Sequence, residues 1–187
     1  KHLDQGADRV ILSTPPTDDI DHLHICGVTP DQIERSHRII SVGSSTANAT
    51  ALMLKVLDDA FGVEEGSFTS VHAYTSDQSL TDVPTQGDLR RSRAAMQNIV
   101  PQTTWTDEAV EELFPHLKGK FKGIKLNVPV AEVSCSDLTV QMKRPVKASE
   151  VNEVFRSASQ TILKGVLDFT DQPIVSSDMN GNPASCL

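Results

Sequence analysis

A run of small hydroxyl residues stands where an apolar strand passes directly into a helix. The strand end is Ile39-Ile40, and residues 41–50 read SVGSSTANAT. A helix that begins in this run would direct free backbone N–H groups, and the positive end of its dipole, at whatever occupies the cleft above Ser45. The alternative is an ordinary serine or threonine helix cap with no ligand.

His72 is a second candidate for chemistry. It closes a predicted strand and is followed by hydroxyl and polar residues, whereas the other five histidines lie in surface-like contexts. A histidine at a strand end, facing a capped helix, can act as an acid or a base. A packed, structural histidine is the alternative.

An arginine cluster is the third candidate. Arg90, Arg91 and Arg93 lie close together, and Thr103 and Thr104 follow with hydroxyl donors. Because a guanidinium offers a planar fork to an oxyanion, the cluster could clamp a phosphate. A solvated or intersubunit loop would explain the same cluster.

Short strands and turns dominate the chain up to the hydroxyl run. Apolar segments at 10–12, 22–26 and 38–41 predict three strands, and residues 27–32 predict a turn. Leu52 to Phe61 carries apolar residues at close to helical spacing, and Gly62 follows as a terminating glycine. This order is typical of the end of an α/β unit.

Strands and helices alternate less regularly after the hydroxyl run. Residues 76–98 have no clear period, which is typical of a functional or interface loop. The mixed order indicates an α+β domain. The predicted strands are 67–74, 121–128, 133–143, 166–169 and 174–177, and the predicted helices are 106–114 and a segment capped by Ser149 and ended by Gly165.

Composition excludes several classes of protein. The chain has 187 residues, 38% of them hydrophobic, and a net charge of −8 without a basic cluster, which argues against nucleic-acid or membrane-surface partners. Cys26, Cys135 and Cys186 are far apart in sequence and predict neither a disulfide framework nor a metal site, so a reducing compartment is expected. We expect neither a signal peptide nor a bilayer-spanning segment, and because the sequence begins without Met we expect it to be a piece of a longer protein.

Ordered sequence blocks resemble one enzyme family. Ser44-Ser45-Thr46-Ala47-Asn48 is similar to the Ser-Cys-Thr-Thr-Asn active-site motif of the phosphorylating glyceraldehyde-3-phosphate dehydrogenases and the related erythrose-4-phosphate dehydrogenases. The 27 residues from Ser45 to His72 match the spacing of that family's nucleophile and base. Further blocks follow in order at 71–73, 88–95, 97–101, 127–129, 137–140 and 177–181.

The resemblance implies a two-part fold and an activity. Residues 1–44 would be the α/β remnant of a Rossmann-type NAD-binding domain. Residues 45–187 would be an α+β catalytic domain with a mixed, largely antiparallel sheet, truncated before its last helix. The implied reaction is NAD-dependent phosphorylating oxidation of a phosphorylated aldehyde, with NADP left open as the cofactor. The family also implies a cytoplasmic homotetramer, with a loop at 73–99 packed on a neighbouring subunit.

The resemblance assigns site residues position by position. Ser45 takes the place of the nucleophile and His72 that of its base. The other implied positions are Thr46, Thr104 and Arg91 for inorganic phosphate, Thr75, Asp77 and Asn127 for the substrate phosphate, Ser44 as a further substrate- or phosphate-binding residue, and Ser13, Thr14 and Pro15 beside the nicotinamide.

Four positions depart from the family pattern. Ser45 replaces a cysteine, and a hydroxyl is a far weaker nucleophile than a thiolate. Asn127 replaces an arginine, Asp77 replaces a hydroxyl donor and would repel phosphate, and Trp105 replaces a small residue. We expect impaired catalysis or altered specificity. The alternatives are an engineered Ser45, a non-catalytic paralogue that binds nucleotide or assembles with active subunits, and a Ser45-His72 hydrolase that lacks an acidic third member.

Overall fold

Three short apolar segments near the start of the chain pair as a parallel sheet. The computed structural model describes residues 1–30, 33–84 and 87–187. Strands β1 (Val10–Leu12), β2 (His22–Leu23) and β3 (Ile39–Ser41) lie in the order β1-β3-β2. The central strand, β3, is the most buried of the three. The assignment of this sheet to a Rossmann-type domain stays a prediction.

The second strand is shorter than predicted. Residues 22–26 were expected to form it, but β2 ends at Leu23. The carbonyl of Ile25 accepts hydrogen bonds from the N–H groups of Val28 and Thr29, which turns the chain. Two residues of the predicted turn, Asp31 and Gln32, lie outside the described residues.

Helix α1 (Ser45–Phe61) follows β3 directly. Its N-cap is Ser44, in extended backbone conformation, and the Ser44 side chain accepts a hydrogen bond of 3.1 Å from the N–H of Ala47. Gly62 ends the helix with φ +69°, and its N–H donates to the carbonyl of Asp58. The helical period and the terminating glycine are therefore confirmed, with the helix beginning seven residues before the apolar run.

A four-stranded mixed sheet follows α1 in the chain. Its order is β5-β6-β4-β7, in which β4 pairs parallel to β6 while the two outer pairings are antiparallel. This confirms a mixed, largely antiparallel sheet. The strands are β4 (Val63–Ala73), β5 (Val100–Gln102), β6 (Phe121–Val128) and β7 (Ser134–Met142).

Two further helices cover the sheet with α1. Helix α2 (Thr106–Leu113) agrees with its prediction, and helix α3 (Ala148–Gln160) begins earlier than expected. Ser149 is not its cap, because Lys147 occupies the N-cap position and the carboxylate of Glu150 accepts from the Lys147 N–H at 3.0 Å. The core lies between α1 and the sheet, where the rings of Phe68 and Phe121 stack with centroids 5.7 Å apart.

The C-terminal segment contains turns instead of the two strands predicted there. Leu167 makes only isolated bridges, to Lys164 and Cys186. Residues Ser176–Met179 form a short 3-10 helix, in which the Asp178 carboxylate accepts from the Val175 N–H at 2.8 Å. Local hydrogen bonds of this kind satisfy backbone groups that would otherwise pair with a neighbouring strand.

The long loop at 76–98 has no helix or strand within its described residues, as predicted. Carboxylates hold it instead: Asp82 accepts from the N–H of Ala94 at 2.7 Å, and Asp88 accepts from that of Arg90 at 2.9 Å. In the described ranges, no helix has the length and apolar character needed to cross a bilayer.

The close approach of Phe68 to Gly123 generates a stability prediction. Gly123 lies in β6, and a Cβ added there would overlap the Phe68 ring. We expect Gly123→Ala to lower the free energy of unfolding by about 1–3 kcal/mol, as overpacked cores do, measured by urea denaturation.

The matched control is Ile124→Thr at the next, 55% exposed position. It should change the free energy of unfolding by no more than about 0.5 kcal/mol. Equal stability of Gly123→Ala and the unsubstituted chain would show that the core has room for the methyl group.

Candidate active site

A cleft of about 710 Å³ opens at the N-terminus of α1 and the end of β4. Ser45 and Thr46 line it from the helix, and His72 lines it from the strand. The structure thus brings the predicted nucleophile position and the predicted base into one cavity. Their catalytic roles stay predictions.

The turn before α1 is fixed by side chains other than Ser45. The amide of Asn48 donates 2.8 Å hydrogen bonds to the carbonyls of Val42 and Ser44, while the Ser44 hydroxyl caps the helix. Gly43 has φ +70°, and a Cβ there would press on Ile25 at 3.0 Å, so the turn requires glycine. Ser45 is exposed. Its hydroxyl is therefore presented to the cleft beside the positive end of the helix dipole.

His72 has a defined tautomer when neutral. Its Nδ1 lies 2.6 Å from the carbonyl oxygen of Ala73, which can only accept, so Nδ1 carries the proton and Nε2 is left unprotonated. Burial lowers the pKa of His72, the Ala73 hydrogen bond opposes that effect, and the positive charge of Lys125 lowers the pKa further. At neutral pH the ring is a base that holds no proton at Nε2.

The predicted inorganic-phosphate residues are only partly assembled. Thr46 is buried, and its Oγ1 lies 3.4 Å from the Ser70 hydroxyl, next to the cleft. Thr104 instead serves α2: its hydroxyl donates to the Thr106 hydroxyl at 2.9 Å and accepts from the Thr106 N–H at 3.2 Å. Trp105 packs against the core beside it.

Arg91 is engaged by protein carboxylates. Its guanidinium lies 3.0 Å from Asp77 and 3.2 Å from Asp88, and it donates to Gln102 at 3.2 Å. A hydrogen bond from the Thr75 hydroxyl and the charge of Arg91 both lower the pKa of Asp77. The sequence placed Asp77 and Arg91 in different phosphate subsites, whereas the structure joins them as an ion pair.

The three arginines do not form one clamp. Arg93 is turned to Asp82, with its Nε 3.3 Å from the carboxylate. Arg90 instead lines a separate surface pocket with Leu89 and Thr103. A phosphate clamp built from all three guanidinium groups is therefore absent in the described residues.

Asn127 ties the loop after β4 to the sheet. It is 3% exposed, and its amide donates to the Oε1 of Gln78, which also accepts from the Thr75 N–H at 3.2 Å. Within the described part of the chain, the Asn127 Oδ1 and the Gln78 Nε2 are buried without a partner. Such atoms are costly unless a ligand or water completes their hydrogen bonding.

The predicted nicotinamide residues follow β1 at its carboxyl end. Ser13 and Thr14 are exposed, and Pro15 is partly exposed. The Thr14 carbonyl accepts a 2.9 Å hydrogen bond from the Ser41 hydroxyl, which ties this segment to the turn before α1. The carboxyl ends of parallel strands are where open α/β sheets bind ligands.

Sequence reasoning missed two features of the site. Lys125 lies on β6, one strand from His72, and its inward position could have been found from the alternation of Phe121, Gly123, Lys125 and Asn127. Cys135 and Cys186 line the same cleft as Ser45. Burial raises the pKa of the Cys186 thiol to about 11, so this group is protonated at neutral pH. Among the described residues, no group of three or more His, Cys, Asp or Glu side chains could hold a metal ion.

Comparisons with known proteins agree on one family. The model of the glyceraldehyde 3-phosphate dehydrogenase C-terminal domain matches residues 44–187. The chain is 47% identical over 187 residues to glyceraldehyde-3-phosphate dehydrogenase 2 of Bacillus subtilis (strain 168), and 46% identical over 186 residues to the glyceraldehyde-3-phosphate dehydrogenase of Mycobacterium avium. Both matches cover 100% of this chain and 54% of the relative. The chain therefore spans about half the length of these relatives.

The environment of His72 generates a pH prediction. We expect the titration midpoint of His72 to lie below the ordinary pKa of 6.5. The titration is followed by NMR of the ring protons, and the His72 signals are assigned by their absence in His72→Gln. Because the folded pKa is the lower one, the stability contributed by neutral His72 is present above about pH 6.5 and is lost as the pH falls through the folded pKa. A midpoint above 6.5 would contradict the prediction that burial lowers the pKa of this ring.

Proposed function

The chain belongs to the glyceraldehyde 3-phosphate dehydrogenase family, and on that premise we propose that it supplies the catalytic part of an NAD-dependent phosphorylating aldehyde dehydrogenase. The substrate would be a phosphorylated aldehyde of the glyceraldehyde 3-phosphate type. Catalysis would be impaired or its specificity altered by Ser45. The observation that carries this proposal is the cleft shared by Ser45, His72 and the first turn of α1.

Each group in this cleft has a chemical task in the proposal. His72 accepts the Ser45 hydroxyl proton at Nε2 while the Ser45 Oγ attacks the aldehyde carbon. The N–H groups at the start of α1 then stabilise the oxyanion that forms. Because a thiol has an ordinary pKa of about 8.5 and a serine hydroxyl stays protonated, Ser45 depends on His72 far more than a cysteine would.

Ser13, Thr14 and Pro15 would hold the nicotinamide. They fit this group because they stand at the carboxyl end of a parallel strand and are tied to the turn before α1. When bound, NAD supplies the hydride acceptor for the oxidation, and NADP would supply the same chemistry. Residues 1–44 would then be the end of the NAD-binding domain and residues 45–187 the catalytic domain.

Phosphate binding is the weaker part of the proposed site. Thr46 and Ser44 stand at the helix N-terminus, but Thr104 serves α2 and Arg91 already pairs with Asp77 and Asp88. The remaining proposed residues are Thr75, which hydrogen-bonds Asp77, and Asn127. An incoming phosphate must compete with two carboxylates, which supports altered specificity.

We place the active protein in the cytoplasm as a homotetramer. The described residues of the 73–99 loop expose large apolar side chains, which is typical of a surface that packs on another subunit. Leu80 is 61% exposed, Leu89 is 85% exposed and Ile99 is 66% exposed.

A non-catalytic paralogue is the second candidate function. Such a protein would bind nucleotide or assemble with active subunits, and the Ser45 hydroxyl together with the Asp77-Arg91 ion pair favours it. A Ser45-His72 hydrolase has less support, because the Nδ1 of His72 contacts the Ala73 carbonyl and not a carboxylate.

Restoring the thiol tests the proposal. The full-length protein is given NAD, phosphate and a panel of aldehydes, and the formation of reduced nicotinamide is followed by its absorbance. We expect Ser45→Cys to raise the rate on glyceraldehyde 3-phosphate by roughly 100-fold or more, because a thiolate replaces an alcohol.

Ser45→Cys combined with His72→Gln is the matched control, and it should lose most of the gain because the base is removed. An absence of signal with every aldehyde, both before and after Ser45→Cys, would reject the dehydrogenase and favour the paralogue.

A further inference from the structure

Lys125 occupies an unusual place for a lysine. It lies on β6 between Gly123, which packs under Phe68, and Asn127, which is buried, so its side chain leaves the sheet on the core-facing side. It is only partly exposed. Lysine is almost never buried unless its charge has a partner.

The pairing of the strands sets the neighbours of Lys125. Its register partner on β4 is Ser70, whose hydroxyl lies 3.4 Å from that of Thr46. Its register partner on β5 is Gln102, which accepts a hydrogen bond from Arg91. Lys125 therefore lies between two neighbours across the sheet. On one side is Ser70, which contacts Thr46 of the cleft, and on the other is Gln102, which contacts Arg91.

The ammonium of Lys125 lacks a close partner. In the ranges 1–30, 33–84 and 87–187 it makes no hydrogen bond or ion pair, whereas Arg91 is satisfied by two carboxylates. Burial and the charge of Arg91 lower the pKa of Lys125, and Asp77 opposes them. The charge of Lys125 in turn acts on His72. The charges of Asp77, Arg91 and His72 thus interact with Lys125, yet among the described residues no carboxylate is in hydrogen-bonding contact with its ammonium.

We propose that Lys125 binds the phosphate group of the substrate, supplying the positive charge that Asn127 cannot. This inference rests on the proposed function for the identity of the ligand, a phosphate monoester dianion. Ser70 lies opposite Lys125 in the sheet, and the Thr46 hydroxyl is 3.4 Å from that of Ser70, so these two hydroxyls would supply further donors. The buried, unpartnered Nε2 of Gln78 belongs to the side chain that accepts a hydrogen bond from Asn127.

A lysine at this place also changes how phosphate is recognised. An ammonium is a compact charge with three donors, whereas an arginine binds through a planar fork. Lys125 lies two residues before Asn127 on the same face of β6; it is paired with Ser70, whereas Asn127 is paired with His72. The bound phosphate would therefore lie nearer to Thr46 than a group held at position 127.

The test measures binding of two probes to the full chain by isothermal titration calorimetry. The probes are glycerol 3-phosphate, a monoester that cannot react, and inorganic phosphate, both at constant ionic strength. We expect Lys125→Gln to weaken glycerol 3-phosphate binding by about tenfold or more, because one charge-assisted hydrogen bond is lost. Lys125→Arg keeps the charge and should stay within about threefold.

Lys122→Gln is the matched control. Lys122 lies on the same strand and faces the carboxylates of Asp107 and Glu111, 3.7 and 3.6 Å away, so its loss removes the same charge without changing the site. Both probes should bind this variant as they bind the unsubstituted chain.

The pKa of His72 gives an independent readout. Since the charge of Lys125 lowers the pKa of His72, Lys125→Gln should raise the pKa of His72 that NMR titration measures. Lys122→Gln should leave that pKa unchanged. An unchanged circular dichroism spectrum of Lys125→Gln shows that the variant is folded. Binding retained by Lys125→Arg shows that the position tolerates substitution when the charge is kept.

Three results would overturn the inference. In the first, Lys125→Gln binds glycerol 3-phosphate as tightly as the unsubstituted chain does. In the second, the unsubstituted chain binds neither probe. In the third, Lys125→Gln weakens the binding of inorganic phosphate alone. Lysine-dependent binding of glycerol 3-phosphate without any reduction of NAD would reject the proposed dehydrogenase activity while supporting the role of Lys125.

Discussion

The parallel pairing of β4 with β6 is the constraint on which the rest of this site depends. It runs over eight residue pairs, from Gly66 with Phe121 to Ala73 with Val128. In a sheet, a slip of one residue turns every side chain to the opposite face. This register puts Phe68 over Gly123 in the core, and the same register puts His72 beside Asn127 and Ser70 beside Lys125. Core packing and site geometry are thus set together.

Charge in the site is balanced locally. The sequence suggested that Asp77 would repel a phosphate, but the structure pairs Asp77 with Arg91 and lets Thr75 donate to it. A half-exposed ion pair of this kind contributes little to stability, since exposed pairs are worth about 0–1 kcal/mol. Its larger effect is to occupy Arg91. The chain has a net charge of −8, yet among the described residues no carboxylate is in contact with the Lys125 ammonium.

Several elements could be predicted from local sequence because local physics decides them. The period of α1 and its final Gly62 have no strong competitor, and the family was recognisable from ordered blocks, which the comparisons confirm. Strand β5 escaped prediction because it has only three residues and Pro101 at its centre, which is tolerated mainly at the edge of a sheet. Ser149 failed as a cap because Glu150 reaches back to the Lys147 N–H instead. The Asp77-Arg91 pair and the alignment of Lys125 with Ser70 and Gln102 depend on contacts between separate segments, which no local pattern contains.

The anchoring of the turn before α1 has a consequence for evolution. Gly43, Ser44 and Asn48 hold this backbone through a left-handed turn, a cap and two amide hydrogen bonds, and the side chain at position 45 takes no part in these contacts. Exchange of a thiol for a hydroxyl at this position therefore costs the fold almost nothing. Selection for stability does not distinguish the two residues, so only selection for chemistry can retain one of them. A lineage released from that chemical demand can lose its nucleophile and keep its architecture intact.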